Sequence, residues 1–193
     1  GRFYQSSISG SNFVTHNSPF LVLLAPFYAI YPHPGTLIFL KAVFLSVSVI
    51  PFYSILKRMV AASAVFPLTL CYVFSPFIIG QYFNAPHEIC FLPPFLLFSF
   101  YFFLVKDFKW FLVFLGISLT VKEHLALVAV MYGVYALILR RDRRWVIVPI
   151  LSGVAWAAFS ASSWLAWALA MAWWSSSRRA GTDSGLRIRV FFL

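Results

Sequence analysis

Ionisable side chains are scarce in this chain, and five of them stand in two short clusters, His87-Glu88 and Lys122-Glu123-His124. A His-Glu pair opens the helical zinc-protease motif, in which two histidines one turn apart hold the metal and the glutamate serves as base. The second histidine would fall where the chain has Phe91, so that chemistry lacks a ligand. Lys122-Glu123 is wedged between two apolar runs, 110–121 and 125–139. Charges at membrane depth are costly unless paired or facing a wet cavity, which makes them candidates for function. Two readings stay open: an internal Lys–Glu pair that caps two short helices, or groups held ready for a substrate. His16 and His33 fit interfacial loops. Lys41, one turn into an apolar run, is expected to snorkel outward, or else to pair with Glu88 or Glu123. Glycine-rich phosphate loops, dinucleotide fingerprints and nucleophile elbows have no residues here to form them. Cys71 and Cys90 lie in apolar segments without ligand spacing and read as small buried side chains. No cofactor is expected on these grounds, and a divalent-metal requirement stays open.

The elements that must position these groups are membrane helices. Of 193 residues, 62% are hydrophobic, 20% aromatic and only 10% charged, far outside the range of soluble domains. The expected fold is all-α: a polytopic transmembrane helical bundle with short re-entrant or interfacial helices. A formal charge of +10 would suit nucleic acid, but the basic residues fall between apolar runs, where they orient helices, and form no clustered face. The expected partners are membrane lipids and no nucleic acid; the oligomeric state is open. The first residue is Gly and no stretch resembles a signal peptide, so the chain is expected to be an interior piece of something longer.

In chain order, 1–19 reads as an aqueous loop and 20–31 as a short, proline-bounded interfacial or re-entrant helix. Full spans are expected at 37–56, 60–80 and 89–105, with Pro51 and Pro67 as kinks. The stretch 110–139 is ambiguous. As one helix it would reach about 45 Å, against a hydrocarbon core of roughly 30 Å, with three ionisable groups at its middle. A hairpin is therefore expected. With a hairpin, Lys57, Lys109, Arg140, Arg141, Arg143 and Arg144 all share one face, which the positive-inside rule makes cytoplasmic. A single span would put the arginines outside. The same count gathers all four histidines, Glu88 and Glu123 on the external face.

The composition changes near Ser160. All 11 prolines lie at or before Pro149 and 21 of 23 phenylalanines at or before Phe159. Residues 1–158 are expected to form a partial membrane domain and 159–193 an atypical end, by origin a reading-frame artefact, a truncated end or a tryptophan-rich interfacial segment with a basic tail.

The order His16-x-Ser18-Pro19, a short helix closing at Tyr31-Pro32, the loop Asn84-x-Pro86-His87-Glu88 and then Lys122-Glu123 in an apolar hairpin resembles the membrane-protein family catalogued as domain of unknown function two thousand and seventy-nine. The resemblance covers about residues 1–158. That family is grouped with the type C glycosyltransferases, and its turn carries Lys-Glu-Asp where this chain has His124. The resemblance implies a multi-pass enzyme, in a prokaryotic cell membrane, that takes a sugar from a polyprenyl-phosphate carrier at the external face. It assigns Glu88 and Glu123 as catalytic carboxylates, and His87, Lys122, His124, His16 and Asn84 as substrate-binding groups. Type C enzymes usually carry a principal carboxylate in the first external loop. Residues 1–12 hold no acid, so that group is expected upstream and this piece is expected to be inactive alone. A transporter or channel subunit, or a membrane scaffold, are the competing readings.

Overall fold

Proline placement decides where the helices of this chain begin and break. The computed structural model describes residues 5–6, 10–11, 19–83 and 87–183. The chain divides into two compact units, 1–157 and 158–193. Two short strands, β1 (Gln5–Ser6) and β2 (Gly10–Ser11), pair antiparallel with Gln5 opposite Ser11. Everything else in the described residues that is regular is helical.

Helix α1 (Phe20–Ile30) follows Pro19 and, at 11 residues, is about 16 Å long, too short to cross a core of roughly 30 Å. Helix α2 (Pro34–Val47) starts on a proline at the position where a missing N–H costs nothing. Its continuation α3 (Val49–Met59) is set off at Ser48. Pro51 has no N–H for the Val47 carbonyl and its ring crowds that oxygen, which breaks the ladder there. The Ser48 hydroxyl donates to the Leu45 carbonyl at 2.5 Å and lies 2.8 Å from the Tyr72 hydroxyl. The second interruption lies further along the chain than Pro67. Pro67 sits inside an unbroken α4 (Ala62–Val73), and the break comes at Phe74 and Ser75, ahead of α5 (Pro76–Phe83). A residue before proline is pushed out of helical conformation, and Ser75 Oγ then accepts from the Ile78 N–H at 3.3 Å, capping the new helix.

A 3₁₀ turn (Glu88–Phe91) leads into α6 (Leu92–Val105), followed by α7 (Phe108–Val121), α8 (Leu125–Ile138) and α9 (Arg143–Asp183). The stretch 110–139 is thus a hairpin. Each leg has 14 residues, about 21 Å of helix. Among the described residues, four stretches are long and apolar enough to cross a membrane: Pro34–Met59, Ala62–Phe83, Glu88–Val105 and Arg143–Ser162.

Both α6 and α8 end in the same device. Lys106 and Arg140 have positive φ, 65° and 50°, in the left-handed position usually given to glycine. The Asp107 N–H then reaches back to the Phe102 carbonyl and the Arg141 N–H to the Ala136 carbonyl, at 3.1 and 3.0 Å. Asp107 caps α7 by accepting from the Trp110 N–H at 3.4 Å. The core beside this end is aromatic: Phe103 and Phe111 are fully buried and both pack on Tyr132 and Trp145 at centroid distances of 5.2–5.5 Å. Helices α8 and α9 touch through small residues. A Cβ added at Gly153 would lie 2.5 Å from the Ala126 carbonyl oxygen, and one at Gly133 would lie 2.7 Å from that of Val146. Close backbone approach of this kind is how membrane helices gain packing without a hydrophobic drive.

Candidate functional site

The hairpin turn, at the opposite end of α7 from Lys106, carries the candidate site. Helix α7 stops because Lys122 is extended, with φ −153° and ψ 140°. The carbonyls of Lys122, Glu123 and His124 then accept from Leu125, Ala126 and Leu127, each at 3.2 Å, so the turn supplies the first acceptors of α8. Lys122 is 9% exposed. Its Nζ donates to Glu88 Oε1 at 2.5 Å, across 34 residues of sequence.

Glu88 is held by the turn that follows it. Phe91 is buried against Phe20 and Phe44, with centroids 5.7 and 5.3 Å apart, and Cys90 Sγ donates to Gln81 Oε1 at 2.9 Å. Aromatic packing and one weak hydrogen bond thus fix the Glu88 backbone between α2, α5 and the hairpin. Phe44 lies one helical turn from Lys41, so Lys41 stands at the same end of the bundle. It does not snorkel outward: it is 1% exposed and its Nζ donates to the Tyr82 carbonyl at 3.1 Å. Of the two readings the sequence allowed for Lys41, outward snorkelling and a pairing with Glu88 or Glu123, its burial removes the first.

Glu123 is sheltered, with its side chain 11% exposed, and its Oε1 lies 3.8 Å from Nε2 of the exposed His124. His87 is exposed and precedes the 3₁₀ turn. His33 caps α2, its Nδ1 accepting from the Gly35 N–H at 3.0 Å, and its ring lies 5.6 Å from that of Tyr31. His16 and Asn84 lie outside the described residues. The structure therefore joins Lys122 to Glu88 and places Glu123 and His124 in the same turn. Among the described residues, no three His, Cys, Asp or Glu side chains gather to hold a metal ion.

An apolar groove of about 660 Å³ runs between α1 and α7, lined by residues including Phe20, Leu23, Leu112, Gly116 and Thr120. The lining runs along α7 as far as Thr120, two residues before Lys122, and itself contains no charged group. Chemically, the turn offers a sheltered ammonium and two carboxylates, and the helix that leads to it carries an apolar groove. Such a set can hold an anionic head group while an aliphatic chain lies along the helices.

Neither the curated proteins nor the solved structures yield a match to the chain. Residues 1–179 match a family described as predicted membrane protein (DUF2079). The matched stretch includes Glu88, Lys122 and Glu123, and runs past residue 158 through the change in composition near Ser160. With most of its length covered by that match and four apolar stretches able to cross a bilayer, the chain belongs to the DUF2079 family of membrane proteins.

Proposed function

We propose that this chain is part of an integral membrane glycosyltransferase that takes its sugar from a polyprenyl-phosphate donor at the Glu88–Lys122 end of the bundle. The observation that supports it is the sheltered Lys122–Glu88 pair, with the apolar α1–α7 groove reaching Thr120 two residues before Lys122. A phosphate needs a cation, a prenyl chain needs an apolar channel, and the transfer needs a base. In the reaction, the acceptor hydroxyl bonds to the anomeric carbon as its proton passes to a carboxylate. The bond from that carbon to the carrier phosphate oxygen breaks, and polyprenyl phosphate leaves with the electron pair. Arrival of the donor shifts the Lys122 counter-charge from Glu88 to the phosphate, which frees Glu88 to take a proton. Glu123 is the second carboxylate. His87 and His124 contact the phosphate side, and His16 and Asn84 complete the substrate contacts.

The test uses the full-length protein in its membrane with labelled polyprenyl-phosphate sugars. Glu88→Gln or Glu123→Gln abolishes transfer per molecule of folded, membrane-inserted protein, and Lys122→Gln raises KM for the donor. If no donor is consumed by the unaltered protein, or if Glu88→Gln keeps the full rate, the proposal fails. One observation favours a second reading, transport: two spans are interrupted, at Ser48 and at Phe74–Ser75, as in transporters built from broken helices. Solute uptake into vesicles that is lost with Glu88→Gln, without donor consumption, would establish it.

A further inference from the structure

At the other end of the hairpin, the loops after α6 and α8 enclose a cavity of about 360 Å³ lined by Lys106, Leu139, Arg140, Arg141, Asp142 and Trp145. Its size falls within the range of small-ligand pockets. Its charge is unbalanced. Three cations face one carboxylate, and Asp142 Oδ2 already lies 3.7 Å from the Arg144 guanidinium. Lys106 and Arg140 form no ion pair among the described residues.

The three cations are placed by backbone and aromatic structure. Arg141 donates from its guanidinium to the Phe103 carbonyl at 2.6 Å and lies 4.1 Å over the Phe103 ring and 4.9 Å over that of Trp145. Stacking leaves the remaining guanidinium N–H groups in a fixed plane, suited to an oxyanion. Partial burial draws its pKa below the usual value; arginine stays charged at neutral pH all the same. Lys106 and Arg140 occupy left-handed caps that glycine would fill without strain. Two long cationic side chains thus flank the cavity from positions where the backbone itself would favour none. The half-exposed Leu139 gives the cavity an apolar side, and Trp145, 3% exposed, forms its floor beneath the Arg141 guanidinium.

We propose that this cavity binds the phosphate of an anionic lipid head group, with Lys106, Arg140 and Arg141 around the phosphate and Leu139 against the first carbons of the lipid. The placing of helices by basic loops explains which face the cations occupy. It does not explain a cavity, stacked arginine and left-handed caps at one point on that face. Pockets of this composition between membrane helices suit anionic head groups. The site is independent of the Glu88–Lys122 end, and its test needs no enzymatic activity.

The full chain in detergent is titrated with phosphatidylglycerol, with phosphatidylcholine and with inorganic phosphate, and bound lipid is counted by native mass spectrometry. The variant is Lys106→Gly with Arg140→Gly, which removes both charges while suiting the left-handed backbone. The control is Lys57→Gln with Arg58→Gln, two cations at the end of α3 outside the cavity. One phosphatidylglycerol per chain is expected to persist in the unaltered protein. It should bind at least roughly tenfold more weakly in the glycine variant, whose thermal stability is retained, since two charge-assisted contacts are lost. The control should stay within about twofold, and Lys106→Arg with Arg140→Lys should restore binding. Equal losses in the glycine variant and the control would show diffuse surface attraction and overturn the proposal. So would displacement of the lipid by inorganic phosphate at equal concentration, which would mark a soluble anion as the ligand.

Discussion

Removing either partner of the Lys122–Glu88 pair should cost far more than removing both. At 2.5 Å, two unit charges attract by roughly 6–7 kcal/mol at an effective dielectric of about 20. Much of that is offset by desolvation of the two groups, whose side chains are 11% and 16% exposed. What remains visible is the penalty for leaving one sheltered charge without its partner across the pair, at most about 3–5 kcal/mol, the figure for a buried pair. Glu88→Gln and Lys122→Met should each destabilise by about that much, or somewhat less because both groups keep some access to water. The combined variant should be no less stable than either single one, which makes the coupling at least as large as the larger single effect; at about 3 kcal/mol that is a factor of more than 100 in the folding equilibrium. The assay is a denaturant titration of the purified protein in mixed micelles, followed by tryptophan fluorescence, for the four proteins of the cycle. Additive single effects, with coupling under about 0.5 kcal/mol, would refute the reasoning and reduce the pair to a surface contact.

Three further outcomes are expected. Single cysteines at position 124 should react only with external reagent and those at 57 and 109 only with cytoplasmic reagent, after Cys71 and Cys90 are replaced; cytoplasmic labelling at 124 would invert the bundle. Gly153→Val should destabilise by about 1–3 kcal/mol, because a side chain there meets the Ala126 carbonyl, whereas Gly116→Ala, with nothing within 4 Å, should be neutral or slightly stabilising in thermal melts. Asp107→Ala should cost about 0.5–2 kcal/mol by removing the α7 cap, read in the same titration.

Span positions, the hairpin and the clustering of polar loops were legible in the sequence because a membrane leaves few ways to satisfy a backbone, and because charges interrupt apolar runs visibly. Helix azimuth was not. In a soluble helix the polar face points to water, but here positions facing lipid and positions facing other helices are both apolar. Nothing in the neighbours of Lys41 therefore said that it turns inward to Tyr82. For Lys122 the sequence suggested a pair with Glu123 beside it or a group held ready for a substrate; the structure, with an extended backbone at Lys122, pairs it with Glu88 from another loop. The prolines gave break points without their order of severity. Pro67 is tolerated within α4, while Pro76 ends a helix that a serine can restart.

The brevity of the hairpin legs also fixes a depth. The neighbouring stretches Pro34–Met59 and Ala62–Phe83 have 26 and 22 residues, about 39 and 33 Å of helix, and it is these that match the bilayer. Set upright from the edge of the hydrocarbon, a 14-residue leg reaches about 21 Å and the 18-residue stretch Glu88–Val105 about 27 Å, so in that setting their shared end stops roughly 3–9 Å inside the far edge. Lys122 and Glu88 then lie at the bottom of a dent, where lipid is locally thinned or water descends to meet them. A head group drawn to them must sink below its neighbours in the leaflet. Occupancy of the dent should therefore respond to acyl-chain length: a thicker bilayer deepens the descent, and a thinner one brings the charges level with the surface.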